Sequence, residues 1–231
     1  MKFNYCALAL AAAVAACGCG GGGGGGGGGA IPIAAMPAAP PPDTSQPSEQ
    51  PPEPVCTVAL WGDSILHGGY NVTERLEEPP AAALKRLRPR WSITDNSLNG
   101  ASAYLNGAQF IQSQLPERVQ VIEYGMNDAT LGAPYEPNLR AMIERAKSLG
   151  RLPIVTGLSH LATDTAARDA YNDKAKALAG EYGIAFADWD TVAFDPGDTM
   201  DGTHPNQAYS VRLVARLAET LDALAPECSG D

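Results

Sequence analysis

The sequence has little positive charge and no long apolar segment. Its 231 residues contain 16 Lys and Arg against 26 Asp and Glu, a formal net charge of −10. The basic residues form no stripe of the kind that binds nucleic-acid phosphates, so we expect no nucleic-acid partner. The longest apolar stretch, at about residues 7–16, is too short to span a membrane stably.

Cysteine and histidine are also scarce. The chain has five Cys and three His, and no Cys-x-x-Cys pair with histidine partners. That spacing is typical of structural zinc sites, and its absence leaves no metal site that can be identified from the sequence.

The first 17 residues have the pattern of an export signal. Lys2 precedes an Ala-rich apolar stretch, and Val14-Ala15-Ala16-Cys17 is similar to a bacterial lipobox. In a lipobox the cysteine is acylated and becomes the new N-terminus. We therefore predict a signal peptide over residues 1–17 and a lipid on Cys17, which would anchor the protein to a membrane of the cell envelope, on its periplasmic or surface side. Ordinary Ala-x-Ala cleavage, with Cys17 incidental, is the alternative.

Residues 18–54 cannot build a hydrophobic core. Residues 20–29 are all Gly, and a stretch rich in Ala and Pro and then a polar stretch follow. Too few large apolar side chains are present to offset the entropy of ordering the backbone. We predict a disordered tether over residues 18–54 and one folded domain over residues 55–231.

Cys56 and Cys228 lie near the two ends of this predicted domain. Export would place the domain in an oxidising compartment, where disulfides form. We predict a disulfide between these two cysteines, and two unpaired thiols are the alternative.

The domain alternates short apolar runs with helical patterns. Five runs, apolar on both faces and bounded by polar residues or Gly, predict buried parallel strands. The alternation predicts an α/β fold in which helices cover both faces of a mostly five-stranded parallel sheet. The predicted strands are 56–61, 91–96, 119–124, 153–158 and 184–188, and the predicted helices are 80–87, 104–114, 137–149, 165–182 and 206–224.

Polar residues follow several of these strands. Ser64 follows the first strand, Gly100 the second and Asn127 the third, and His204 precedes the last helix. In an open α/β sheet, reactive groups collect outside the carboxyl ends of the strands. We therefore expect all four residues at one edge of the sheet.

Ser64, His204 and Asp201 together predict a catalytic triad. Serine is a poor nucleophile unless a base takes its proton, and His204 has a carboxylate three residues before it. Asp201 can hold the imidazole in the tautomer that presents a free nitrogen to Ser64. An isolated Asp-x-x-His is typical of a solvated loop, but here it accompanies a serine at a strand end.

Acyl transfer also needs donors for the oxyanion that develops on the substrate. The candidates are the backbone N–H groups of Ser64 and Gly100 and the side-chain amide of Asn127. Asn99 is a competing donor, and a plain turn glycine or a turn cap would be the structural alternatives for Gly100 and Asn127.

Three further polar residues lie near these motifs. His67 lies one helical turn after Ser64 and either contacts the pocket or is a partly exposed helix residue. For His160 we favour a loop role over substrate contact. Asp63 is expected to brace the turn before Ser64 by hydrogen bonds.

Four strings, taken together, resemble the SGNH (GDSL-type) hydrolase family over residues 57–210. The family implies a flavodoxin-like three-layer α/β/α sandwich, and esterase, lipase or thioesterase chemistry without metal or cofactor. By this resemblance Ser64 is the nucleophile, Ser64, Gly100 and Asn127 supply the oxyanion hole, His204 is the base and Asp201 orients it. The strings, in the family's usual order, are Gly62-Asp63-Ser64-Ile65, Asn96 to Gly100, Gly125-Met126-Asn127-Asp128 and Asp201-Gly202-Thr203-His204-Pro205.

The substrate is less well defined than the reaction. The domain has no obvious lid or long apolar insertion, which favours short-chain esters, first of all O-acetyl esters of a glycan. A lysophospholipase, a thioesterase, an acyltransferase on the same site and a non-catalytic glycan-binding module are the alternatives. We expect a monomer that acts on a small-molecule or glycan ester.

Overall fold

Five parallel strands form the centre of the protein. The computed structural model describes residues 55–71, 73–163 and 165–229, and the predicted signal peptide, Cys17 and the predicted tether lie outside them. The strands are β1 (Thr57–Gly62), β2 (Ser92–Asp95), β3 (Val119–Glu123), β4 (Leu152–Thr156) and β5 (Ala185–Ala187). Every pairing between these strands is parallel, and their order in the sheet is β2-β1-β3-β4-β5.

Helices cover both faces of this sheet. The alternating side chains of β1 show the division, because Val58 and Leu60 pack into one apolar cluster and Ala59 and Trp61 into the other. The α-helices are α1 (Ser64–His67), α2 (Pro80–Leu87), α3 (Ala103–Gln112), α4 (Met126–Leu131), α5 (Tyr135–Ser148), α6 (Ala166–Tyr182) and α7 (Gln207–Leu224), and short 3₁₀ helices span Trp189–Thr191, Pro196–Asp198 and Pro226–Cys228. The first cluster includes side chains of α1, α2, α4 and α7, and the second includes those of α3, α5 and α6.

The predicted three-layer α/β fold is confirmed. Each predicted strand and helix ends within two residues of its observed counterpart. The helix α4 was not predicted, because its six residues are too few to show a helical repeat. No helix in the described part of the chain is long and apolar enough to cross a membrane.

The strand β2 does not fit the expectation of burial on both faces. Three of its four residues are exposed, and only Ile93 is partly buried. The reason is its place in the sheet, since β2 pairs with β1 alone and forms an edge. The expectation was wrong there, whereas every residue of β3 is buried.

A disulfide joins the two ends of the domain. Cys56 and Cys228 are 172 residues apart in sequence, and their Cα atoms are 5.7 Å apart. Cys56 directly precedes β1, and Cys228 ends the last 3₁₀ helix. The bond therefore lies at the amino end of β1, the end of the sheet opposite Ser64.

Candidate active site

Ser64 is the first residue of α1 and directly follows the turn that ends β1. Asp63 caps this short helix, since its Oδ1 accepts a hydrogen bond of 2.8 Å from the Ile65 N–H. Only glycine fits at position 62, because a Cβ there would lie 2.5 Å from Glu123 Oε2 and 2.8 Å from the Leu66 Cβ. The tight turn therefore presents Ser64 at the carboxyl edge of the sheet.

The loop before α7 supplies the imidazole and its carboxylate. The His204 Nδ1 is 2.7 Å from Asp201 Oδ2, and the His204 backbone N–H donates to Asp201 Oδ1 at 2.9 Å. The bridge between Thr199 and Pro205 and the bond from the Met200 N–H to the His204 carbonyl close the loop. The two side chains therefore keep their relative orientation through contacts within one loop.

The fold brings Ser64 and His204 together from positions 140 residues apart. The distance from Ser64 Oγ to His204 Nε2 is 2.9 Å. Limited burial of Asp201 opposes its ionised form, but hydrogen bonds from His204 and Thr203 outweigh this effect and lower the pKa of the carboxyl. An ionised Asp201 favours a proton on Nδ1 and so leaves Nε2 free to accept the serine proton.

An open cavity of about 380 Å³ lies beside Ser64. Its wall includes three side-chain carboxamides. The lining residues are Ser64, Tyr70, Asn71, Asn99, Gly100, Asn127 and His204.

The three predicted oxyanion donors all belong to this cavity wall. Asn127 donates one amide hydrogen to the Ala101 carbonyl at 2.8 Å, which holds its carboxamide in place and leaves the second hydrogen for a ligand. Gly100 has a φ of +72°, a conformation that favours glycine. Among residues 55–71, 73–163 and 165–229, the Ser64 and Gly100 N–H groups donate no hydrogen bond.

Asn99, the competing donor, holds the wall of the cavity. Its Nδ2 donates to the Asn71 carbonyl at 3.1 Å, and its carboxamide is so close to Gly69 that a Cβ there would be 2.1 Å from Asn99 Oδ1. At least one of its amide hydrogens is therefore used within the protein.

The other two histidines do not line the cavity. His67 is half-buried, with Nδ1 3.3 Å from Ser97 Oγ. His160 lies in a separate polar cavity, where its Nε2 is 2.8 Å from the Asp190 carbonyl and its ring stacks on Phe194. The structure thus places only His204 at Ser64.

Sequence reasoning assigned no role to two buried acids near the site. Asp128 accepts hydrogen bonds of 2.9 Å from the Ala103 and Tyr104 N–H groups, and so ties the start of α4 to the start of α3. Glu123 lies beneath Gly62 at the end of β3. The sequence signal for Glu123 is a carboxylate in β3, a strand whose other residues are mostly apolar. The described residues contain no group of three or more His, Cys, Asp or Glu arranged to hold a metal ion.

Comparison with known proteins finds a family model that matches the chain and solved structures that share its fold. Residues 60–210 match the model of the GDSL-like lipase/acylhydrolase family. No curated protein matches the sequence significantly.

Several solved structures share the fold at low sequence identity. A G-D-S-L family protein from Desulfitobacterium hafniense DCB-2 is 18% identical, with a TM-score of 0.63 over 71% of this chain and 99% of that chain. The esterase EstA from Pseudoalteromonas sp. is 14% identical, with a TM-score of 0.61 over 74% of this chain and 99% of that chain. The acetylxylan esterase Axe2 from Geobacillus stearothermophilus is 16% identical, with a TM-score of 0.58 over 71% and 93%.

Proposed function

The chain belongs to the GDSL-like lipase/acylhydrolase family, and on that premise we propose that it is a serine esterase that forms an acyl-enzyme on Ser64. The observation that carries the proposal is the continuous hydrogen-bonded line from Ser64 Oγ through His204 to Asp201. Such a line activates a serine for attack on a carbonyl.

The proposed reaction has two halves. In the first, Ser64 Oγ bonds to the ester carbonyl carbon while its proton passes to His204 Nε2. The oxyanion receives hydrogen bonds from the N–H groups of Ser64 and Gly100 and from the Asn127 amide. The alcohol then leaves with the proton from His204. In the second half, a water loses a proton to His204, attacks the acyl carbon and releases the acid, and Ser64 regains a proton from His204.

The limited size of the cavity and the carboxamides in its wall support a short acyl group on a hydroxylated alcohol. The carboxamides of Asn71, Asn99 and Asn127 offer hydrogen-bonding groups rather than a long apolar channel. We propose an O-acetyl ester of a glycan as the substrate, and the shared fold of Axe2, an acetylxylan esterase, is consistent with it.

A panel of p-nitrophenyl esters, from acetyl to palmitoyl, tests the proposed acyl specificity. We expect the highest kcat/KM with acetyl and a decrease of at least about tenfold by octanoyl, because the added methylenes find no pocket. A maximum at octanoyl or longer would instead indicate a lysophospholipid or an acyl thioester. Product analysis with a competing alcohol would reveal an acyltransferase.

A fluorophosphonate probe tests the chemistry itself. The probe is expected to label Ser64, identified by peptide mass, because it reacts with activated serines. An unlabelled Ser64 in a folded protein that still binds glycans would favour the binding module.

We further propose that Cys17 carries the lipid that anchors the protein to the cell envelope, with residues 18–54 as the tether. Mass analysis of the N-terminal peptide of the native protein should show acyl chains on Cys17. Cys17→Ala should abolish this mass and release the protein from the membrane fraction. Cys19→Ala is the matched control and should leave both unchanged, and an unmodified Cys17 would refute the proposal.

A further inference from the structure

The carboxyl of Glu123 lies directly beneath the turn that carries Ser64. The side chain is 2% exposed, and its Oε2 accepts a hydrogen bond of 3.1 Å from the Asp63 N–H. The Leu66 N–H also lies near this carboxyl and favours its ionised form. Glu123 therefore binds the amide of Asp63 and lies near the amide of Leu66, on either side of Ser64.

Asp63 is a second buried carboxyl, adjacent to the first. It is fully buried, and its Oδ1 caps α1 through the Ile65 N–H. Its Oδ2 is buried and has no hydrogen-bond partner among the residues that the structure describes. Within that part of the chain, no ion pair involves Asp63 or Glu123.

Two adjacent ionised carboxylates without a cation would be costly in a buried site. Burial and the neighbouring Asp63 hold the pKa of Glu123 well above its usual range, and burial raises the pKa of Asp63 from 3.8 to about 7. The other titratable groups around the pair, Asp128, Tyr124 and Tyr135, bring no positive charge. A proton on Glu123 would remove one charge and give Asp63 Oδ2 the donor that it lacks.

We propose that protonated Glu123 is a positioning residue for the nucleophile. It holds the Asp63 amide, lies near the Leu66 amide and donates its carboxyl proton to Asp63, and so fixes the turn that directs Ser64 Oγ at His204. The inference rests on the proposed role of Ser64 as the nucleophile.

This arrangement makes the reactivity of Ser64 depend on pH. When the last proton leaves the pair, the two buried carboxylates repel each other, and the turn loses the hydrogen bond between Glu123 and Asp63. The contribution of this pair to the free energy of unfolding changes in the same direction: folding raises both pKa values, so that contribution is most favourable at low pH and is lost as pH rises through the folded-state values. We expect a reversible loss of Ser64 reactivity on the alkaline side.

The test compares Glu123→Gln and Glu123→Leu with the wild type. Gln keeps an acceptor for the amides and a neutral donor for Asp63, whereas Leu keeps neither. The control is Gln120→Leu, which removes another fully buried polar side chain of β3, one that accepts from Trp61 Nε1 at 2.9 Å and lies at the opposite end of the strand. The readout is the second-order rate constant for fluorophosphonate labelling of Ser64, with circular dichroism at each pH as the check on folding.

We expect Glu123→Gln to react within about threefold of the wild type and to lack the alkaline decrease. Glu123→Leu is expected to react about 10- to 100-fold more slowly, because a small misplacement of the nucleophile has effects of that size. Gln120→Leu should lose stability while its labelling rate stays within about threefold of the wild type.

Three results would overturn the inference. The first is a Ser64 labelling rate in Glu123→Leu equal to that of the wild type. The second is an equal decrease of the labelling rate in Glu123→Leu and Gln120→Leu. The third is a labelling rate that depends on pH in the same way in the wild type and in Glu123→Gln. If Glu123→Leu does not fold, the comparison of the pH profiles of the wild type and Glu123→Gln tests the inference. A wild type that is not labelled at Ser64 would contradict the proposed function itself, and the inference would fall with it.

Discussion

Replacing Ser64 with Ala is expected to reduce kcat/KM for the best ester by about 10⁴-fold or more. The hydroxyl oxygen is the atom that would bond to the acyl carbon, and no other serine in the described part of the chain lines the cavity. Ala removes one oxygen at the start of a four-residue helix, so the thermal unfolding midpoint should change little. The measurement is steady-state hydrolysis of p-nitrophenyl acetate, together with a thermal melt of each variant.

Ser148→Ala provides the matched control. Ser148 is the last residue of α5, is exposed, and bonds the Arg145 carbonyl through its Oγ. Because α5 leads into β4, its last residues lie at the amino edge of the sheet, away from Ser64. We expect full activity in this variant. Full activity in Ser64→Ala would refute the assignment of the nucleophile.

Removal of the disulfide is expected to lower the free energy of unfolding by about 2–5 kcal/mol. The bond closes a loop of 172 residues, and so restricts the unfolded chain more strongly than a short loop would. Denaturant unfolding of the oxidised and the reduced protein measures the difference. At temperatures where the reduced form stays folded, esterase activity should persist, since Ser64 lies at the opposite edge of the sheet.

The double variant Cys56→Ala, Cys228→Ala separates loss of the bond from other effects of reductant. Its unfolding midpoint should be lower than that of the oxidised wild type, and dithiothreitol should not change it further. A wild-type midpoint that is insensitive to reduction would contradict the prediction. Loss of activity before unfolding would contradict the expected separation of the disulfide from the edge of the sheet that carries Ser64.

The outline of the fold could be predicted because its signals are local. The short, continuously apolar runs of β1 and β3 are easily distinguished from α7, where apolar residues recur at helical spacing. Each of these patterns lies within one element. The exposure of β2 could not be predicted in this way. Whether a strand lies at the edge of a sheet depends on which strands pair with it, and distant segments of the chain decide that pairing.

Part of the candidate triad could also be predicted from residues close together in the sequence. Asp201 and His204 share one loop, and their spacing predicts the contact that the structure places at 2.7 Å. The contact between Ser64 and His204 spans 140 residues, and only the parallel sheet, with both segments at its carboxyl edge, brings it to 2.9 Å.

The sequence by itself determined the order of strands and helices, the presence of a serine, a histidine and a carboxylate at chain positions suited to acyl transfer, and a cysteine near each end of the domain. The tertiary structure alone decided that Glu123 packs against Asp63 beneath the turn that carries Ser64, and that Asn99 uses an amide hydrogen to hold Asn71. The physical reason is that a periodic pattern reports which face of its own element is apolar. Which buried groups meet across β1 and β3 depends on strand register and pleat, which the chain acquires only when it folds.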